Sequence, residues 1–170
     1  MSRIHPKNPI DPQVSEVLTG MKQTLGFTPN IFQLMGHSKP FFGGFLTLSK
    51  SLEHGLLSPQ TRESIALAVA GFNGCKYCTA AHSKIGAKAH LDDEEIRLNL
   101  EGKSGHPKTQ AALDFVHKVL KTKGHIQDAD IQHILENGWN EEQLLEIMGN
   151  VAVNMTTNYF NNAFLPKVDF

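Results

Sequence analysis

The chain has 170 residues, of which 40% are hydrophobic and 19% are charged, and its formal net charge is -1 at pH 7. This length and composition are typical of one folded domain with its own core, and they exclude a disordered or fibrous protein. No basic stripe suits nucleic acid, and the longest apolar stretch, Ile65 to Phe72, is too short to span a bilayer. The first residues contain no apolar signal core. We therefore predict a cytoplasmic protein that binds neither nucleic acid nor membranes.

Apolar residues recur at helical spacing through most of the chain, between Gly, Pro and capping residues. An extended lead-in over residues 1–11, with Pro6 and Pro9, comes before them. The spacing predicts helices over about residues 12–25, 31–36, 38–54, 58–73, 75–90, 92–101, 108–123, 127–137 and 140–162. No stretch alternates as a β-strand does for more than a few residues. We therefore predict an all-α helical bundle that forms a single domain over residues 1–170.

Capping residues support several of these boundaries. Ser58, Asp92 and Asn140 each stand directly before a predicted helix, where a side-chain oxygen can accept an unpaired backbone N–H. Glu95 and Gln143 follow two of these caps by three residues and are expected to reach back to the cap in a capping box. These residues predict where three of the helices begin.

Four further segments are expected to build the core, the walls of a site or a contact between subunits. The helix after Ser58 is apolar on all faces between residues 65 and 70, so it should be central and buried. The Phe- and Leu-rich stretch 41–52 is expected in the core. The amide-rich stretch 154–162 could supply buried partners at a subunit contact or pocket wall, or form a solvated face. The tail, residues 164–170, is expected to dock its two phenylalanines on its own or a neighbouring subunit.

Cys75 and Cys78, the only two cysteines, form a Cys-x-x-Cys pair directly after the helix stop Asn73-Gly74. Both should lie in the first turn of a new helix, where unpaired N–H groups and the helix dipole favour a thiolate. His82 follows Cys78 by four residues, so the three side chains share one helix face. Two thiols within reach of each other and an imidazole that carries a proton are the minimum parts for dithiol redox chemistry.

Glu63 is a candidate fourth member of this site. It lies early in the preceding helix, and antiparallel packing across the Gly71–Gly74 turn could return its carboxylate to His82, where it would orient the imidazole and support its charge. Each residue alone has a simpler interpretation as a small buried thiol, a packed histidine or a solvated acid. Tyr77, between the cysteines, is expected to serve packing. The joint arrangement is what predicts a redox site.

The motif resembles the core motif of the alkyl hydroperoxidase D-like (AhpD-like) group of the carboxymuconolactone decarboxylase superfamily. It consists of Glu63, eleven intervening residues, Cys75-x-x-Cys78, three intervening residues and His82. The resemblance is specific over residues 58–90 and weaker over 26–57 and 140–165. It implies an AhpD-like helical bundle, with this core motif inside a single domain. Well-studied members carry a histidine where this chain has Tyr77, which places the chain with the peroxidase-related branch.

The resemblance also implies roles for the site residues. Cys78 would attack a peroxide, Cys75 would resolve the product as a disulfide, and Glu63 and His82 would form a proton relay. The function implied is a thiol-dependent peroxidase or dithiol–disulfide oxidoreductase in antioxidant defence, which needs no cofactor. Its substrate would be a hydroperoxide or a disulfide, and its reductant a lipoyl-bearing or thioredoxin-like protein. Related proteins form trimers and hexamers, so we expect a homo-oligomer.

Two other functions stay open from the sequence. A redox-sensing or metal-binding module would use the same thiol, imidazole and carboxylate groups, although three ligands on one helix face make a poor tetrahedron for zinc. A decarboxylase acting on a lactone carboxylate is suggested by the superfamily name, but members of that branch lack the cysteine pair. Peroxide-dependent loss of thiols and the metal content of the protein separate these alternatives.

Overall fold

Helices make up 71% of the chain. The computed structural model describes residues 2–8 and 10–170, so Met1 and Pro9 of the predicted lead-in lie outside the described residues. Within these ranges there are nine helices and no strand: α1 (Pro12–Leu25), α2 (Asn30–Met35), α3 (Lys39–Glu53), α4 (Pro59–Asn73), α5 (Lys76–Lys88), α6 (Asp93–Leu100), α7 (Pro107–Thr122), α8 (Asp128–Glu136) and α9 (Glu141–Phe164). The predicted all-α class is confirmed. None of these described helices is both long and apolar enough to cross a bilayer.

Capping side chains begin the helices where the sequence predicted. Ser58 and Asp92 each accept the backbone N–H three residues on, at the starts of α4 and α6. Asn140 accepts from the Gln143 N–H at 2.8 Å, and the Gln143 side chain accepts from the Asn140 N–H at 3.2 Å, so the predicted capping box of α9 is present. Local hydrogen bonds therefore fix these boundaries.

The capping box predicted for Asp92 and Glu95 is wrong in its second half. The Glu95 carboxylate, only 6% exposed, accepts from Ser104 Oγ, from the Gly105 N–H at 2.9 Å and from Asn99 Nδ2 at 2.9 Å. Burial raises the pKa of Glu95, but these three donors outweigh burial and hold the pKa below its usual value of 4.5. The carboxylate therefore fixes the loop after α6 instead of the first turn of that helix.

Helix α4 is the centre of the bundle, as its all-round apolar sequence predicted. It contacts α5, α6, α7 and α9, and residues 64–70 are buried in succession. At Gly71 the backbone of α6 comes so close that an added Cβ would lie 1.9 Å from the Leu100 carbonyl oxygen. The last turn of α4, which leads into the cysteine motif, is thus packed closely against α6.

The prediction that the Phe-rich stretch of α3 belongs to the core is confirmed for Phe42 but wrong for Phe41 and Leu48. Phe42 is 2% exposed, but Phe41 and Leu48 remain 40% and 45% exposed. Helix α3 packs mainly on α2 and α9, so one face is buried while another faces outward. Phe45 and Leu46, which are partly buried, pack against the core and line a cavity.

Candidate active site

The two cysteines lie where α4 turns into α5. Gly74, with φ at +60°, ends α4 in the left-handed conformation that glycine adopts readily. Cys75 is the N-cap of α5, so the prediction that both cysteines lie inside the first helical turn is corrected for Cys75. The two residues are joined by a disulfide with their Cα atoms 5.3 Å apart. The Cys78 backbone N–H donates to Cys75 Sγ at 3.2 Å, so an N–H of the first turn is directed at this sulfur.

Glu63 and His82 meet across this turn, as the sequence predicted. The distance from His82 Nδ1 to Glu63 Oε2 is 2.8 Å, and the side chains are 20% and 15% exposed. Because a carboxylate oxygen can only accept, the Nδ1–H of His82 is the donor in this hydrogen bond. The other ring nitrogen, Nε2, is then free to take up or release a second proton. The contact orients the imidazole, although the catalytic roles assigned to both residues stay predictions.

A cavity of about 630 Å³ brings these groups together. Its wall includes Cys78, Glu63 and His82, whereas Cys75 is wholly buried behind it. Most of the remaining wall is apolar and comes from α1 to α5 and the segments between them. It includes Met21, Phe27, Phe32, Phe45, Leu46 and Ile85. The sulfur that a bound molecule would meet is therefore that of Cys78.

Asn161 is part of this site and was not among the predicted site residues. Its Nδ2 donates to Cys78 Sγ at 3.3 Å, and its side chain is 4% exposed. Asn154 and Asn150, about two and three turns earlier in α9, also line the cavity. The amide-rich segment thus forms a pocket wall, which was one of the alternatives left open. A signal existed in the sequence, since asparagines recur every three or four residues on one face of α9.

Tyr77 does more than the packing expected of it. Its hydroxyl donates to Asp169 Oδ2 at 2.5 Å, and its ring packs edge-on against Phe170 at 5.7 Å. Burial, together with the hydrogen bond to Asp169, raises the pKa of Tyr77 far above its usual value of 10.0. Tyr77 is therefore a phenol that donates a hydrogen bond at neutral pH.

The tail docks on its own chain, which was one of the two predicted outcomes. Asp169 accepts from the Asn30 N–H at 2.9 Å and from Asn30 Nδ2 at 2.5 Å, in addition to Tyr77. Phe170 packs edge-on against Phe27, 5.7 Å away. Asp169 and Phe170 both line the cavity, so the tail forms one wall of the site.

In the part of the chain that the structure describes, no three His, Cys, Asp or Glu side chains come close enough to hold a metal ion. Glu63 and His82 bind each other, and the two sulfurs are bonded to each other. The groups that a metal-binding module would use are therefore already engaged in pairs.

Comparisons with known proteins agree with this fold and motif. The sequence matches the carboxymuconolactone decarboxylase family over residues 40–118, which contains the whole motif from Glu63 to His82. A search of curated proteins found no match. The all-α fold and a family match that spans the cysteine motif make the chain similar to AhpD-like proteins of the carboxymuconolactone decarboxylase superfamily.

Three solved structures illustrate the likeness. An uncharacterised peroxidase-related protein from Ralstonia eutropha, described as an alkylhydroperoxidase AhpD core, is 24% identical, with 99% of this chain and 92% of that chain covered and a TM-score of 0.90. A peroxidase-related protein from Silicibacter is 20% identical, with 97% and 89% covered and a TM-score of 0.84. The debrominase Bmp8 is 25% identical, with 93% and 87% covered and a TM-score of 0.78.

Proposed function

We propose that the chain is a thiol-dependent peroxidase or dithiol–disulfide oxidoreductase that acts through Cys75 and Cys78, with Glu63 and His82 as a proton relay. The observation that carries this proposal is the cavity wall shared by Cys78 and the Glu63–His82 pair. A nucleophile, a proton carrier and a group that orients the carrier border one space large enough for a substrate.

The first half-reaction consumes a hydroperoxide. His82 takes the proton of the Cys78 thiol, and the thiolate attacks one peroxide oxygen, so that an S–O bond forms as the O–O bond breaks. His82 returns the proton to the departing alkoxide, which leaves as an alcohol. Cys78 is then a sulfenic acid. Glu63 stabilises the imidazolium while the proton is held, since its carboxylate is 2.8 Å from Nδ1.

The second step forms the disulfide. Cys75 Sγ attacks the sulfenic sulfur, an S–S bond forms as the S–O bond breaks, and the hydroxyl leaves as water with the Cys75 proton. Two electrons have then moved from the dithiol to the peroxide. An external dithiol must reduce the disulfide for turnover, and a lipoyl-bearing or thioredoxin-like protein is our proposal for it.

The cavity favours an organic substrate over hydrogen peroxide. Its volume of about 630 Å³ falls within the range of roughly 300–1,000 Å³ that small-molecule sites have. Aromatic and aliphatic side chains supply most of its wall, and burying an apolar group against them is favourable because it removes apolar surface from water. We therefore expect an alkyl or aryl hydroperoxide to react faster than hydrogen peroxide at equal concentration.

Reductive dehalogenation is a second candidate, favoured by the same large apolar cavity beside a dithiol. The structurally similar debrominase Bmp8 has been determined with 2,3,4-tribromopyrrole, which concerns that protein alone. For this chain, the balanced reaction would replace an aryl C–Br bond by C–H, with both electrons from the dithiol, and would release bromide as the disulfide forms. Bromide release from reduced protein and a bromoarene tests this candidate.

Exposed apolar side chains on α9 support the expected homo-oligomer. Leu145, Met148 and Tyr159 are 73%, 37% and 60% exposed. A second copy of the chain would cover this face of α9, because large apolar side chains grouped on one helix favour association. Light scattering after size-exclusion chromatography checks whether the mass is that of a trimer or hexamer.

The experiment that tests the proposed roles compares two single substitutions in reduced protein treated with cumene hydroperoxide. The Cys75→Ser variant should react once and hold a sulfenic acid that dimedone traps. The Cys78→Ser variant should leave its remaining thiol unreacted on the same time scale. If Cys78→Ser stayed reactive while Cys75→Ser lost reactivity, the two roles would be reversed. If neither the wild type nor either variant reacted, the peroxidase function would be rejected.

A further inference from the structure

We propose that Asn161 is a positioning residue that stabilises the thiolate of Cys78 in the reduced protein. The inference rests on the proposed function, because it concerns the same sulfur. Neither the motif from Glu63 to His82 nor the first turn of α5 contains this amide, which comes from the opposite helix, α9.

The contact itself is direct and buried. Asn161 Nδ2 lies 3.3 Å from Cys78 Sγ, and the two residues are 4% and 2% exposed. Cys75 Sγ has a different donor, the Cys78 backbone N–H at 3.2 Å. Each sulfur thus receives one N–H group, but only the donor to Cys78 comes from a side chain that a substitution can remove.

Asn161 departs from the pattern of the three asparagines that precede it on α9. Asn150, Asn154 and Asn158 each donate Nδ2 to the carbonyl oxygen four residues earlier in α9, at 2.7–2.9 Å. Asn161 instead directs Nδ2 out of its own helix to the sulfur. Its Oδ1 is buried and makes no hydrogen bond among the described residues, whereas its Nδ2 donates to Cys78 Sγ. An asparagine that only stabilised its own helix would donate to the carbonyl oxygen four residues earlier, as these three do.

A donor at this place has a clear chemical consequence. Burial in an apolar wall disfavours a thiolate, and a hydrogen bond donated to the charged sulfur opposes that effect. The N–H donor of Asn161 therefore raises the fraction of Cys78 present as thiolate. Other charged and titratable side chains around the cavity stay unchanged when Asn161 is replaced. They are Glu53, Arg62, Glu63, Tyr77, His82, Lys84, Lys88 and Asp169.

The test measures alkylation of Cys78 by iodoacetamide as a function of pH, in a Cys75→Ser background where Cys78 is the only thiol. Asn161→Leu should move the midpoint up by about one pKa unit, so that alkylation below the midpoint is about tenfold slower. Asn161→Asp, which has nearly the same shape but a carboxylate in place of the donor, should move it further. Asn158→Leu is the matched control, since Asn158 is equally buried and bonds only within α9; its profile should equal that of the parent.

An Asn161→Leu profile that coincides with that of the parent would overturn the proposal. Circular dichroism checks that each variant folds, and if Asn161→Leu does not, an unshifted midpoint in Asn161→Asp overturns it equally. Alkylation needs no peroxide, so the two proposals can fail separately. A wild type inert to hydroperoxides with a shifted Asn161→Leu midpoint would reject the peroxidase and keep the inference. A wild type that reacts with hydroperoxides and an Asn161→Leu midpoint that does not shift would keep the peroxidase and reject the inference.

Discussion

Replacing Tyr77 by Phe should weaken the docking of the tail on the wall of the site. The substitution removes one hydroxyl, which donates to Asp169 at 2.5 Å, and keeps the ring that packs against Phe170. A hydrogen bond to a charged acceptor contributes about 1.5–3 kcal/mol. Asp169 keeps its two contacts with Asn30, so the tail stays docked most of the time. Its open population should nevertheless rise by about 10- to 150-fold, which is the same free energy expressed as an equilibrium constant.

Limited digestion with trypsin measures this opening. Lys167 lies in the tail, and its carbonyl oxygen accepts from Asn30 Nδ2 at 3.0 Å, so cleavage after Lys167 needs the tail to leave its site. Mass spectrometry should show cleavage after Lys167 accelerated by about 10- to 150-fold in Tyr77→Phe, provided the tail opens and closes faster than it is cut. The matched control is Tyr159→Phe, because Tyr159 is 60% exposed. Equal cleavage rates for Tyr77→Phe and the wild type would refute the reasoning.

Three other outcomes are expected. Gly71→Ala should lower the free energy of unfolding by about 2–3 kcal/mol, since the added Cβ would meet the Leu100 carbonyl. Gly43→Ala, which has open space around it, should raise the free energy of unfolding by about 0.5–1 kcal/mol. Similar urea midpoints for the two variants would contradict this expectation. Glu95→Gln should lower the free energy of unfolding by about 2 kcal/mol at pH 7. In the wild type, the lowered pKa of Glu95 stabilises the fold above pH 4.5. The difference in unfolding free energy between wild type and variant should therefore shrink as the pH falls below 4.5. A difference that does not depend on pH would contradict the lowered pKa of Glu95. Glu63→Gln should slow the reaction with cumene hydroperoxide by about 10- to 100-fold, because the His82 imidazole loses its charged acceptor. An unchanged rate would show that Glu63 is not part of the proton relay.

Local chemistry explains most of what the sequence predicted correctly. The bounds of α1 and the caps at Ser58 and Asn140 depend on side chains next to the helix ends. The approach of Glu63 to His82 follows from two helices joined by one tight turn at Gly74, which limits how they can pack. Predictions of this kind need only neighbours in the chain.

Contacts between distant residues explain what was missed. Cys78 and Asn161 are 83 positions apart, and Tyr77 and Asp169 are 92 positions apart. Their meeting depends on how α9 and the tail pack against α5, which spacing along the chain does not specify. Glu95 is a related case, because loop donors brought close by folding took the carboxylate from its predicted role as a cap.

The redox pair is the central claim, and thiol trapping tests it most directly. Reduced protein is treated with one equivalent of cumene hydroperoxide, its remaining thiols are blocked with N-ethylmaleimide, and the digest is read by mass spectrometry. We expect rapid loss of both thiols and a peptide that contains the Cys75–Cys78 disulfide. Two cysteines still carrying N-ethylmaleimide after the peroxide treatment would contradict the claim.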